Sequence, residues 1–357
     1  MTVSPPVTTF CYETNCSLAE VASRVQAAKR VLVTTHSKPD GDAIGSVLAI
    51  LRICRARSVA AEGWMVGPFE ENLLEVVGGD AVVRVDPKKP HFPDDSFDLV
   101  VVVDTGAWSQ VEVLAPWIRQ RHASVINLDH HARGDAIASS RVVDVRCGSC
   151  TALLVRLADE LKVDLGYGAD GAGRFSLAEA LYVGLATDTG WFRFANARAS
   201  EFALAARLLS VGVQKDELYA RLEQCHRLER VLLESRALSS LRTISGGCVA
   251  LMQLSKDDFA ATGGLPEELA GVVNLPLMAS SLRASVLLVE QEGAIKVSFR
   301  SKPALASRAC IDVNQVASTF GGGGHVHAAG ARIASTLSDA ALQIERALDR
   351  SLNHSSL

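Results

Sequence analysis

An apolar run, VLVTT (31–35), leads directly into His36, Asp40 and Asp42, and a second apolar run follows from Ala43. Two carboxylates and an imidazole set between buried segments are costly unless a positive charge lies among them. Related groups recur in three more places: Asp104 in DTG (104–106), Asp129, His130 and His131 in DHH (129–131), and Asp188 in TDTG (187–190). Taken singly, each has an ordinary structural reading. Asp40 and Asp42 are candidates to cap the next helix, Asp104 and Asp129 to start turns, and His130 to be a satisfied core histidine. Gathered in one place, the aspartates would repel and raise each other's pKa values unless divalent cations neutralised them. Histidine nitrogens among oxygen donors favour a borderline ion such as Mn2+ over an all-oxygen Ca2+ cage, and two ions suit six ligands better than one.

Gathering them is a task for the elements between. Strand-like runs at 31–35, 99–103 and 124–128 alternate with helical patterns, including 43–57 and 151–162. Continuous Val-rich strands between helices predict an α/β domain with a parallel, Rossmann-like sheet covered on both faces. Ligands of an open parallel sheet bind beyond the carboxyl ends of its strands, where the first three polar clusters fall. The fourth acid comes from a helix: Leu177, Leu181, Leu185 and Asp188 share one face, and Gly190 ends it. The chain divides into a polar arm (1–19), this domain (20–199), a helical connector rich in Leu, Arg and Glu (200–240), and a smaller α+β domain (241–357). Strand-like runs at 248–254, 283–290 and 294–301 build the last, and a helix at 335–351 closes it.

A second constellation lies there. GGGGHVHAAG (321–330) sits between a helical run (312–320) and a strand-like one (328–333). Glycines in that place let backbone N–H groups approach an anion, with His325 as a side-chain donor; a flexible linker or tight turn is the alternative. Alternation in AIKVSFRS (294–301) puts Ile295, Val297 and Phe299 on one face and Ser298 and Arg300 on the other. Beside the glycines, the Arg300 guanidinium is placed to fork onto a phosphate, with Ser301 as a secondary candidate. WFRF (191–194) offers aromatic stacking for a base, but the reading preferred is that Trp191 and Phe194 fill space under the connector.

Composition sets the limits. The 357 residues, 48% of them hydrophobic, suffice for two domains with real cores, and a net charge of -4 excludes a chain-wide basic field for long nucleic acid. The N-terminus lacks the basic start and apolar stretch of a secretory signal, and no later run reaches membrane-spanning length, so a cytoplasmic protein without membrane contact is expected. The eight cysteines are scattered, and the CxxC of Cys147 and Cys150 has no second pair at zinc spacing. They read as reduced thiols in packing positions, with a disulfide or zinc role as the alternative.

HSKPDGD (36–42), VVDTG (102–106), DHH (129–131) and ATDTG (186–190) together resemble the four motifs of the DHH phosphoesterase superfamily. FRS (299–301) and GGGGHVHAAG resemble the associated DHHA1 domain. Order and spacing agree over roughly 20–350, and the chain is most similar to the bifunctional oligoribonuclease and pAp phosphatase group. It departs from the pattern at Val326 and His327, where many members carry a basic residue, and in KPALASRACI (302–311), which is longer than usual.

The resemblance implies that His36, Asp40 and Asp104 hold one metal and that Asp42, Asp104, His130 and Asp188 hold the other, Asp104 bridging. It leaves Asp129 to orient a histidine, and His131 to touch substrate or give a proton to the leaving oxygen, with a purely structural role as the alternative. Arg300, Ser301, Gly322, Gly323, Gly324 and His325 become the phosphate cradle. The implied activity is Mn2+-dependent, with Mg2+ or Co2+ as substitutes: release of 5′-mononucleotides from very short single-stranded RNA, and removal of the 3′-phosphate of pAp. In that scheme the first domain cuts, the second holds, and substrate length is limited to what fits between them. No obligatory protein partner is implied, and a homodimer is compatible. A phosphodiesterase for linear or cyclic dinucleotides would use the same parts. A RecJ exonuclease would be longer, an inorganic pyrophosphatase would have a differently built second domain, and a catalytically silent nucleotide-binding module would not need all six ligands.

Overall fold

A computed structural model of the chain describes residues 10–69, 71–77, 80–168, 175–269, 271–304 and 310–354. They form two units, Met1–Cys225 and His226–Leu357.

The first unit is built on strands β1 (Arg30–Thr34), β2 (Ala60–Val66), β3 (Val82–Val85), β4 (Leu99–Val103), β5 (Val125–Asp129) and β6 (Ser140–Val143). All pairings are parallel, in the order β3-β2-β1-β4-β5-β6. The expected α/β, Rossmann-like architecture is therefore present, and the strand order reverses between β1 and β4, the switch point beside whose carboxyl ends open parallel sheets bind ligands. Every residue of β4 and β5 is buried, which is why both read as continuous apolar runs rather than alternating ones.

The described residues of this unit also form eight α-helices: α1 (Leu18–Ala27), α2 (Gly41–Ala56), α3 (Glu71–Val77), α4 (Ala115–Arg119), α5 (Cys150–Glu160), α6 (Leu177–Asp188), α7 (Ala199–Ser210) and α8 (Lys215–Glu223). Helix α2 is buried from residue 41 to 54, so its apolar residues are not confined to one stripe. It packs against α6 at a distance that only glycine permits. A Cβ on Gly45 would lie 2.5 Å from the Ala180 carbonyl oxygen, and one on Gly184 would lie 2.5 Å from Asp42 Oδ1. This contact brings the first turn of α2, with Asp42, to the last turn of α6, with Asp188. A capping box fixes the start of α6: Ser176 Oγ accepts from the Glu179 amide, and the Glu179 carboxylate accepts from the Ser176 amide.

The second unit carries helix α9 (Leu228–Ser239), then β7 (Arg242–Ile244), β8 (Val249–Leu254), α10 (Lys256–Thr262), β9 (Ala284–Gln291), β10 (Ala294–Ser301), α11 (Val313–Ser318), β11 (Gly323–His325), β12 (Ala328–Ile333) and α12 (Leu337–His354). The strand order is β11-β12-β10-β9-β8-β7, antiparallel except between β8 and β9. Alternation along β9 serves two cores: Val286 and Leu288 pack with Val316 and Ile344, whereas Leu287 and Val289 pack with Leu233 and Met252. The stretch 200–240 is largely helical; α7 and α8 lie in the first unit and α9 in the second. Residues 305–309 of the long 302–311 segment, and 1–9 of the arm, lie outside the described residues. Among the described residues no helix is long and apolar enough to cross a membrane.

Candidate metal centre

The loops after β1, β4 and β5 and the end of α6 bring their side chains to one place. Ligand atoms of His36, Asp40 and Asp104 lie within 4.8 Å of one another, as do those of Asp42, His130 and Asp188, and those of Asp104, His130 and His131. Asp104 faces both sides of the cluster: Oδ2 is 3.5 Å from His36 Nε2, and Oδ1 is 3.3 Å from His130 Nε2. Its backbone is left-handed, with φ +58°, a strained conformation for a non-glycine residue of the kind that concentrates at functional sites.

Both buried-side imidazoles are oriented by a carbonyl. His36 Nδ1 lies 3.0 Å from the Ser37 oxygen and His130 Nδ1 lies 3.4 Å from the Cys147 oxygen. Donation from Nδ1–H to those oxygens leaves each Nε2 turned toward the carboxylates, the arrangement typical of metal-binding histidines. His131 differs: its Nδ1 is 2.8 Å from Asp129 Oδ1, and its side chain is 54% exposed. Asp129 is fully buried and accepts further bonds from the amides of His130 and His131, so it supports the loop.

Asp40 keeps its ordinary role as well. Oδ1 accepts from the amides of Asp42 and Ala43 and so caps α2, while lying 3.8 Å from His36 Nε2. Asp42 is held from outside its own element: Oδ2 accepts from the Cys150 amide at 2.6 Å and Oδ1 from the Thr151 amide at 3.0 Å, both at the N-terminus of α5. Asn196 Nδ2 donates to the backbone and carboxylate oxygens of Asp188 at 3.1 and 3.3 Å and to the Gly148 oxygen at 2.9 Å. Sequence reasoning missed these supports. Backbone donors carry no residue signal, and Asn196 lies eight residues past the acid that it steadies; the one visible cue was Ser149, whose hydroxyl caps α5. The CxxC cysteines contribute main chain, Cys147 its carbonyl and Cys150 its amide, and among the described residues no disulfide joins any of the cysteines.

The electrostatics follow from crowding. Burial pushes Asp42 well above the usual carboxylate range, and Asp104 and Asp188 push the same way. Asp188 is raised to about 6 by burial, with Asp104 and Asp40 adding to the shift and His130 opposing it. Burial alone would lower the imidazoles, but Asp104 and Asp40 push His36 up to about 10, and Asp104, Asp42 and Asp188 push His130 up to about 10. Asp40 and Asp129 end below the usual range despite burial, because His36 and His131 respectively hydrogen-bond to them. The donor set also passes a direct test of fit for a cation. Among the described residues, Asp104 Oδ1 and His130 Nε2 are buried without a hydrogen-bond partner although they face each other. A cation among these groups is the partner that both lack.

In the second unit, register places Arg300 opposite Ala328, and Ala328 opposite His325. Directly paired residues project from one face, so Arg300 and His325 share a face, floored by Ala328 and by the bare Gly330 and Gly323. Burial lowers the half-buried Arg300 guanidinium somewhat from its ordinary value. Ser301 lies on the opposite face, buried, with its hydroxyl 3.0 Å from His327 Nδ1. The glycine run is a hairpin edge rather than a linker. A Cβ on Gly322 would lie 2.2 Å from the Gly330 oxygen and one on Gly324 2.3 Å from the Ala328 oxygen, so close backbone approach accounts for both.

WFRF departs from the expectation that Trp191 and Phe194 fill space together. Phe194 is 57% exposed, its ring over Gly190, and Phe192 instead packs against Tyr182 and Phe202. Consecutive left-handed residues, Trp191 at φ +55° and Phe192 at +63°, change which side chain turns inward. Trp191 does pack, edge-on to Tyr219, and donates to Glu223.

The sequence agrees with the DHH family, N-terminal domain, over residues 30–185 and with the DHHA1 domain over 256–352. The bifunctional oligoribonuclease and PAP phosphatase NrnA of Thermus thermophilus is 30% identical over 321 residues, 88% of this chain and 87% of that protein. Its namesake in Bacillus subtilis is 26% identical over 319 residues, 88% of this chain and 92% of that protein. Among solved structures, an exopolyphosphatase-related protein from Bacteroides fragilis shares the fold with a TM-score of 0.78, at 24% identity, over 93% of this chain and 95% of that one. With four segments of acids and histidines converging at the switch point of a parallel sheet and a second unit of matching type, the chain belongs to the DHH family, its DHH domain followed by a DHHA1 domain.

Proposed function

We propose that the chain is a cytoplasmic, Mn2+-dependent phosphoesterase that removes 5′-mononucleotides from very short oligoribonucleotides and the 3′-phosphate from pAp. The observation that carries this reading is the position of Asp104, its two oxygens facing His36 and His130. In the proposed assignment His36, Asp40 and Asp104 hold one cation and Asp42, Asp104, His130 and Asp188 the second, the DHH domain spanning 20–199. Bound divalent ions supply a water of lowered pKa and offset charge on the attacking and leaving oxygens of a phosphoryl displacement. Asp129 fixes the His131 ring through Nδ1, which leaves Nε2 to give a proton to the leaving oxygen. In the DHHA1 domain, proposed to begin near 241, Arg300 and His325 bind phosphate with the backbone of Gly322, Gly323 and Gly324, and Ser301 steadies the hairpin through His327. The substrate class is supported by the relatives in Thermus thermophilus and Bacillus subtilis, named for both activities.

A panel of pAp, diribonucleotides, short RNAs, pGpG and cyclic dinucleotides, assayed with and without Mn2+, tests the reading. The expected result is Mn2+-dependent release of mononucleotides from short RNA and of phosphate from pAp, abolished in Asp104→Ala. Full Mn2+-dependent activity in that variant would refute the assignment, and exclusive turnover of dinucleotides would replace it with a dinucleotide phosphodiesterase.

A further inference from the structure

The N-terminal arm precedes every motif above and has no part in the proposed chemistry, yet one of its residues reaches the DHH loop. Residues 14–16 run along the edge strand β6. The Asn15 amide donates to the Arg141 oxygen at 3.0 Å, the Arg141 amide donates to Asn15 Oδ1 at 2.6 Å, and Thr14 Oγ1 exchanges bonds with the backbone of Val143 at 2.8 and 2.9 Å. The arm thereby covers an edge that would otherwise offer unpaired donors and acceptors. It also carries Tyr12 into a gap between the loops after β4 and β5. Both loops are bare of side chain there: a Cβ on Gly106 would lie 1.9 Å from the Tyr12 hydroxyl oxygen, and one on Gly134 would lie 2.5 Å from its ring.

At the end of that ring, the hydroxyl lies 2.5 Å from Asp129 Oδ2 and 2.7 Å from Asn127 Oδ1. Asn127 is fully buried, and its Nδ2 donates to the Thr105 and Val102 oxygens at 2.7 and 3.2 Å, which fixes Oδ1 toward the tyrosine. A single hydroxyl proton therefore meets two acceptors, of which the carboxylate is the closer and, being charged, the stronger. On its other oxygen Asp129 receives His131 Nδ1 and the amides of His130 and His131.

We propose that Tyr12 is a positioning residue: its hydroxyl pins Oδ2 of Asp129, so that Oδ1 stays turned to His131 and holds the imidazole with Nε2 outward. This rests on the reading of His131 as the group that serves the leaving oxygen. Without the hydroxyl, Oδ2 and Asn127 Oδ1 become buried acceptors that have lost their donor, and the carboxylate is free to turn toward another one, releasing the ring. Partners that orient a functional histidine from behind change activity by about 10- to 100-fold when removed.

The test compares Tyr12→Phe, which keeps the ring and the fold, with Gly134→Ala, which displaces the ring while leaving the tyrosine in the sequence. Both are measured for diribonucleotide hydrolysis, for Mn2+ affinity by calorimetry, and for the His131 Nδ1 resonance in the 15N-labelled, Mg2+-loaded enzyme. The expected result is a kcat about tenfold lower with KM and Mn2+ affinity unchanged, together with a moved His131 resonance. In a His131→Gln background, Tyr12→Phe should cause no further loss. A His131 resonance and kcat that stay at wild-type values in both variants would overturn the proposal. Full kcat in His131→Gln, with the resonance still moved by Tyr12→Phe in the parent, would uphold the positioning by Tyr12 and refute the role of His131 instead.

Discussion

At the scale of single residues, the centre is a set of charges that cannot all be satisfied by one another. Asp42 is buried and raised, Asp188 is raised to about 6, and His36 and His130 are raised to about 10. Below 10 both rings therefore carry protons when carboxylates are their only partners, whereas a cation takes the neutral imidazole. Binding of Mn2+ at pH 7 should accordingly release protons, read from calorimetric titrations in buffers of different ionisation enthalpy. Acidification works in the same direction: as pH falls through about 6, Asp188 takes up a proton and Mn2+ affinity should fall with it. Binding without proton release, or with affinity flat between pH 7 and pH 5, would mean that these side chains are not the ligands. Much of this scale was legible from residue types alone, because a run of acids and histidines between apolar segments demands a counter-charge. What was not legible came from long range: Tyr12 reaches Asp129 across 117 positions, and the Cys150 amide reaches Asp42 across 108.

At the scale of elements, the question is what brings four separated segments together. The carboxyl ends of β1, β4 and β5 follow from parallel-strand topology, and the Val-rich runs predicted those strands to within a residue or so. The approach of α2 to α6 was not predicted, since Gly45 and Gly184 are unremarkable inside helical patterns until the partner backbone is seen. Gly184→Ala places a Cβ 2.5 Å from Asp42 Oδ1 and 2.4 Å from Thr151 Cγ2. It should cost about 1–3 kcal/mol of stability by overpacking and should weaken Mn2+ binding as well, measured by thermal unfolding and calorimetry. Ser176→Ala, which removes the cap at the far end of the same helix, should cost about 1 kcal/mol and leave Mn2+ affinity unchanged. Equal metal affinity in the two variants would show that the interhelical contact does not set the position of Asp42.

At the scale of the whole molecule, two units with separate cores carry two sets of side chains of different chemistry. One set is acid and imidazole; the other is Arg300 and His325 on an open strip of sheet. The net charge of -4 fits a protein that meets phosphate at one local patch rather than along a basic surface. Arg300→Ala should raise KM for diribonucleotides by tenfold or more, a loss of about 1.4 kcal/mol, with kcat and Mn2+ affinity nearly unchanged. A matching loss of metal binding would argue against separate roles for the two units. The most direct measurement of the central claim is anomalous diffraction at the manganese edge from crystals grown with Mn2+. Two peaks are predicted, one contacted by His36, Asp40 and Asp104 and one by Asp42, Asp104, His130 and Asp188. A single peak, or manganese bound elsewhere on the chain, would contradict the account.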